Sequence, residues 1–382
     1  LIGEAMSLSL GDRLSVAKAA LGRSVVSINP AAVEEVSCKR DGYWTVGLKD
    51  TAVIPKWLID ALLSSDNHLV LTVDKMSDLG RSVDTELVNP LTYRCMTGST
   101  SGGAINVLKG INDVCIGTDG GGSVLAPALA TNLYAVMGQG AGLATSRGIS
   151  TDNMPFKTGI GCIGNSFAAV YELLSFALLA KGKSVGSTDE AVDSMADGVA
   201  AAEEVSNLEV AVPWRGTAVA PDGSDMGERC YETLSLLENY RPQVIEVVFD
   251  DIYDRAVTVE NLRSLWKKNP DLLVMDVEGP IDVFAYDETI PRGFAGSAPE
   301  YVAGIRSKAL CKAINIAGGS AVVIPSSELA TGILVACGPG EKRLQNAFEV
   351  AYLLDERRML PSYLSRYFLD RTKAHRPLAV FE

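Results

Sequence analysis

Residues 98–123 read GSTSGGAINVLKGINDVCIGTDGGGS, and the rest of the chain can be organised around them. Two clusters of Ser, Thr and Gly flank a short apolar helix, AINVL, and a short strand. In the second cluster three glycines, Gly120, Gly121 and Gly122, run straight into Ser123. A backbone without Cβ atoms can turn several N–H groups toward one point. A carbonyl oxygen held there would meet preorganised donors as negative charge develops on it, which makes Ser123 a candidate nucleophile with a built-in oxyanion hole formed by Gly120, Gly121, Gly122 and its own N–H. The first cluster adds the hydroxyls of Ser99, Thr100 and Ser101, which can cap helix donors or relay protons.

Such a serine needs a base. The chain has two histidines, His68 and His375, both distant in sequence from the glycine clusters. His68 is expected in a loop. Lysine is the alternative, because a lysine desolvated at the end of a buried strand can stay neutral and accept a proton. Lys49 ends the apolar run WTVGLK; Lys75 follows the similar run HLVLTVD and is the rival.

VGLKD (46–50), GSTSGG (98–103) and GTDGGGS (117–123) together resemble the amidase signature family, whose triad is a nucleophilic serine, a second serine preceded by a cis peptide bond, and a lysine. Residue by residue, Ser123 matches the nucleophile, Lys49 the base, Gly120, Gly121 and Gly122 the oxyanion-hole backbone, and Thr100 the position of the bridging serine. Ser99, Ser101 and Asp119 are the expected supporting residues. The resemblance extends through LVLTVDKMSDLG (69–80), FKTGIGCIGNSFAAVYELL (156–174), INIAGGSAVVIP (314–325) and GILVACGPGEKRLQNAFEVAYLLDE (332–356). It departs at Thr100, at Leu125, where the family usually has an arginine that pairs with Asp119, in MGQGAGLAT (137–145), and in a shortened 50–100 region.

The resemblance implies an α/β fold with a single large mixed sheet flanked by helices on both faces. It also implies an amide-bond hydrolase acting through an acyl-enzyme on a small-molecule amide, with no metal or organic cofactor and a homodimer as an open possibility. Two other readings stay open: an amidase fold kept for binding or assembly with weakened catalysis, and a subunit that releases ammonia from glutamine for a partner. In the loop 278–299 the aromatics Phe284, Tyr286 and Phe294 are candidate pocket residues, since the family lines its entrance with this part of the chain.

Composition bounds these readings. The 382 residues, 47% hydrophobic, suffice for a large core, and a net charge of −13 opposes binding to nucleic acid or anionic membrane. Seven scattered cysteines without a CxxC pair read as small buried hydrophobes in a reducing compartment. The chain opens without a signal-peptide pattern, so a cytoplasmic location is expected. GQGAG (138–142) is read as a pocket wall following a helix rather than a dinucleotide loop.

Periodicity places helices over 4–22, 55–63, 127–137, 166–181, 226–240, 257–268, 299–317 and 341–360, and a surface helix over 184–207. Strands alternate with these from 44 onward, which favours a sheet covered on both faces. Ser15–Lys18 and 157–159 match fragments of a Ser-x-x-Lys enzyme signature and are read as a helix face and a loop. Asp250, Asp251 and Asp254 are read as a solvated helix start rather than a metal cluster. The whole chain is expected to be one domain: an N-terminal helical segment (1–40), the signature core (44–180) and the remainder of the sheet (208–360), with 371–382 docking on the protein itself or a neighbour.

Overall fold

A computed structural model describes residues 8–150, 152–185 and 207–369. The expected surface helix over 184–207 and the tail from 371 fall almost wholly outside them. Fourteen strands are described: β1 Val25–Ile28, β2 Trp44–Lys49, β3 His68–Asp74, β4 Val83–Val88, β5 Cys95–Thr97, β6 Val114–Asp119, β7 Tyr134–Met137, β8 Ala144–Ile149, β9 Pro155–Gly164, β10 Glu209–Pro213, β11 Gln243–Val247, β12 Leu273–Glu278, β13 Ser320–Pro325 and β14 Gly332–Cys337. Twelve form one mixed sheet in the order β1-β3-β2-β6-β9-β7-β13-β14-β12-β10-β11, with β8 paired to β9; β4 and β5 make a separate hairpin. The β3-β2-β6 and β12-β10-β11 groups are parallel and the strands between them antiparallel.

Both faces of the middle of this sheet are buried, and the alternation of side chains shows how. Val136, Val322 and Ile324 point to one apolar cluster, where Leu58, Leu62, Leu173, Leu174, Phe348 and Leu354 from the helices Lys56–Ser64, Phe167–Val185 and Glu341–Arg357 meet them. Ala135, Met137, Ala321 and Val323 point the other way, into a second cluster with Ile105, Leu129, Leu262 and Trp266 from the helices Ser101–Leu108, Leu125–Ala130 and Arg255–Lys268. The period of two in each strand therefore serves two helical layers.

The structure corrects several sequence expectations. The helix expected over 127–137 stops at Ala130 and continues as β7. Asn132 turns the chain in a left-handed conformation, with its amide donating to Glu328 O at 2.7 Å and accepting the Ala330 N–H at 2.8 Å. The GQGAG segment thus follows a strand, but it leads to β8 rather than to a helix, so no phosphate-binding turn forms. The helix expected over 299–317 is broken into Ala298–Ala303 and Ile314–Ala317. Between them the buried Glu278 carboxylate takes the N–H groups of Ala309 and Cys311 at 2.6 and 2.9 Å, and that tertiary demand overrides helical propensity. Residues 157–159 lie within β9, not a loop. His68 is not in a loop either: it opens β3 fully buried, with Nδ1 on Ser65 Oγ and Nε2 on Glu172 Oε2.

Candidate active site

β2 and β6 lie side by side and parallel, so their carboxyl ends meet at one edge of the sheet, where open α/β sheets place their ligands. Lys49 is the last residue of β2, and Thr118 and Asp119 end β6. Lys49 Nζ is surrounded by three oxygens: Ser99 Oγ at 2.6 Å, Thr118 Oγ1 at 3.0 Å and Thr118 O at 3.1 Å. All three are neutral acceptors. Burial dominates and lowers the Lys49 pKa to about 8, against the opposing pull of Asp119.

After β6 the chain turns through the glycines. Gly122 sits at φ +95°, a conformation that disfavours any side chain, and a Cβ there would also press on the Cys311 carbonyl. The turn is fastened from within by Asp119, whose two carboxylate oxygens accept the N–H groups of Gly122 and Val124, both at 2.7 Å. Burial raises the Asp119 pKa while these N–H bonds hold it down. Asp119 thus has backbone partners where the resemblance would lead one to expect an arginine at position 125; Leu125 itself is fully buried in the apolar layer.

This arrangement refines the expected oxyanion hole. The Gly122 N–H is committed to Asp119, so it is not a free donor. The N–H groups of Gly120, Gly121 and Ser123 have no acceptor among the described residues. Ser123 Oγ likewise has no protein partner and lies open to a cavity of about 500 Å³, which Lys49, Ser99, Thr118, Gly120 and Gly121 also line.

The three adjacent hydroxyls of the first cluster point three ways. Ser99, 3% exposed, faces Lys49 and the cavity. Thr100 does not bridge as expected: its hydroxyl is buried without a hydrogen-bond partner and faces Gly117, where a Cβ would come within 2.6 Å of Thr100 Oγ1. Ser101 is also outside the cavity, because its hydroxyl donates to Asp84 Oδ2 at 2.6 Å at the start of a helix. The peptide bonds around Ser99 and Thr100 are trans; the one cis bond among the described residues is Gly279–Pro280.

Lys75, the rival base, is engaged elsewhere. Its ammonium lies 2.9 and 2.8 Å from the two Asp84 oxygens and 3.2 Å from Glu86, and these acids raise its pKa despite partial burial.

The expected pocket aromatics are corrected. Phe284 and Phe294 are 51% and 71% exposed, and Tyr286 packs under Arg94 and accepts the Cys95 N–H; none lines the cavity. The walls come from Met76, Leu79, Ile149, Phe156 and Tyr253. Phe156 presses on the glycine turn, its ring within 2.5 Å of where a Gly120 Cβ would be. It stands at the head of a segment with family-like sequence, a signal that could have flagged it. Arg255 and Lys312 also reach the cavity, with no local motif to mark them.

Among the described residues no three His, Cys, Asp or Glu side chains gather as a metal site, and Asp254 caps its helix by accepting the Val257 N–H. No helix among them is long and apolar enough to cross a membrane.

The fold is that of the amidase signature enzymes. It is similar to 6-aminohexanoate cyclic dimer hydrolase, with a TM-score of 0.64 over 94% of this chain and 96% of that one at 12% identity. It is similar also to the peptide amidase of Stenotrophomonas maltophilia, at 0.60 over 92% and 93% with 16% identity, and to the S177A form of Kluyveromyces lactis allophanate hydrolase, at 0.60 over 96% and 73% with 14% identity. No family model and no curated protein matches the sequence.

Proposed function

We propose that the protein hydrolyses amide bonds through an acyl-enzyme on Ser123, with Ser99 as the proton relay and Lys49 as the base. The observation that carries this reading is the 2.6 Å contact between Lys49 Nζ and Ser99 Oγ in the cavity that Ser123 and the free N–H groups of the glycine turn also line. The amidases among the structures of the same fold add support.

With its pKa near 8, on the order of a tenth of Lys49 is neutral at pH 7. A neutral amine accepts the Ser99 proton, which reverses the direction of their hydrogen bond. Ser99 then takes the proton of Ser123 as Ser123 Oγ attacks the substrate carbonyl. The oxyanion is met by the N–H groups of Gly120, Gly121 and Ser123. On collapse the C–N bond breaks and the amine leaves with the proton returned through Ser99. Water then attacks the ester by the same relay and frees Ser123.

Ser123 Oγ makes no hydrogen bond to Ser99 in the unliganded protein, and this favours a second reading, an amidase fold retained for binding. Catalytic hydrogen bonds often close only around substrate, so the first reading stands ahead. Treatment with a serine-reactive fluorophosphonate, followed by intact mass and peptide mapping, decides between them. A single adduct on Ser123 that disappears in Lys49→Ala supports the hydrolase. An unlabelled Ser123, or ammonia release that survives Ser123→Ala, overturns it.

A further inference from the structure

Behind the glycine turn lies charge that the proposed chemistry does not use. A recess of about 20 Å³, room for one small polar group, lies against Gly121, Gly122 and Ser123. It opens between three cations, Arg255, Lys308 and Lys312, and a single carboxylate, Asp287. That carboxylate is already shared, with Lys312 Nζ and Arg292 Nη2 each 3.2 Å away. The other acids facing the main cavity are occupied too. Asp152 accepts from Arg255 Nη1 at 2.8 Å, Glu288 accepts from Ser82 Oγ at 2.9 Å, and Asp254 caps its helix.

Two of the cations keep unused donors. Lys308 is 95% buried along its side chain and forms an ion pair with Asp282 at 3.4 Å, a separation too long for a strong hydrogen bond, so its ammonium keeps donors to spare. Arg255 gives only Nη1 to Asp152. Its Nε is buried without a partner, and Nη2 has no acceptor among the described residues. The guanidinium carbon of Arg255 lies 3.6 Å from where a Cβ on Gly121 would stand, directly beside the oxyanion turn. Buried donors left unmade are costly, and a guanidinium edge beside an ammonium is complementary to a carboxylate.

We propose that the substrate carries a carboxylate a short spacer away from the scissile amide, held in this recess by Arg255 and Lys308 while its carbonyl oxygen faces the N–H groups of Gly121 and Ser123. The inference rests on the hydrolase reading of Ser123 and adds the substrate class to it. The reaction is then that of a monoamide of a dicarboxylic acid: water enters, the C–N bond breaks, a C–O bond forms, and a dicarboxylate and ammonium leave. An enzyme that amidates or half-hydrolyses a dicarboxylic acid derivative would supply such a substrate.

Binding can be measured without turnover. In the Ser123→Ala protein, calorimetric titration compares succinamate with isocaproamide, its neutral analogue of the same shape. Succinamate is expected to bind about tenfold or more tightly, the worth of one charge-assisted contact. The preference should collapse in both Ser123→Ala/Arg255→Gln and Ser123→Ala/Lys308→Met, each checked for folding by its melting transition. Equal affinity for the two compounds, or a preference that survives both second substitutions, overturns the proposal. Fluorophosphonate labelling of the unsubstituted protein separates the two ideas. A labelled Ser123 with no carboxylate preference sinks the recess alone, whereas a carboxylate preference beside an unlabelled Ser123 sinks the hydrolase and leaves a carboxylate-binding protein.

Discussion

Lys49 and Lys75 leave the sheet side by side. β2 and β3 are parallel neighbours, Lys49 is in register with Asp74, and Lys75 is the next residue. Both follow buried apolar strands, yet their pKa values move in opposite directions. Lys49 meets only hydroxyl and carbonyl oxygens, and desolvation wins; Lys75 meets two carboxylates, and attraction wins. Burial of the strand does not by itself set the pKa of the lysine. The groups around the ammonium do, and for Lys49 they come from segments remote in sequence, whereas Asp84 and Glu86 follow Lys75 closely in the chain.

The largest expected difference is in activity. Lys49→Met should lower amide turnover on the order of a thousandfold or more, in the range of lost general bases, while Lys75→Met should leave kcat/KM within about a factor of three. A comparable loss from Lys75→Met would break the comparison. Next in size is the hydroxyl beside Lys49. Ser99→Ala should cost on the order of a hundredfold in kcat, and Thr100→Val, which removes a hydroxyl that bonds nothing, should cost little. The reverse ranking would return the relay to Thr100.

That pair also marks where the sequence stopped being legible. The glycine turn, Ser123 and Lys49, which the structure brings to one cavity, each rest on a local pattern, glycines before a serine or an apolar run ending in a lysine. Ser99, Thr100 and Ser101 offer three hydroxyls in a row, and spacing alone does not say which one turns toward Lys49. The deciding fact is the packing of Thr100 against Gly117, a contact between strand and helix. The break at Asn132 and the loop fastened by Glu278 were hidden for the same reason, since each is set by partners far along the chain. Phe284 and Phe294 failed as pocket residues because aromatic content says nothing of direction.

The pH profile sharpens the comparison at about a tenfold scale. The proposed relay requires neutral Lys49, so kcat/KM should rise tenfold per pH unit below about 8 and level above it. Lys75→Met should keep that profile. Stability carries the same signature. Lys49 titrates lower in the folded than in the unfolded protein, so between about 8 and 10.5 the unfolded chain binds more protons and folding stability rises with pH. The difference between the protein and Lys49→Met, followed by denaturant melts across that window, should change by on the order of 3 kcal/mol. A flat difference would mean that the Lys49 site is wetter than its geometry implies.

Lys75 gives the smallest effect on turnover, and its effect on stability is of opposite kind. Asp84 is 1% exposed and holds Lys75, Ser101 Oγ and the Glu86 N–H together. Lys75→Met leaves that carboxylate buried without its cation, so unfolding free energy at pH 7 should fall by about 3 kcal/mol while turnover by the folded fraction persists. Adding Asp84→Asn should recover part of the loss, because the neutral amide can still engage Ser101 and no longer needs a counter-charge. If the double variant is no more stable than Lys75→Met, then the methylenes of Lys75 matter through packing rather than charge. The two lysines would then differ in what their stems bury as well as in what their ammonium groups meet.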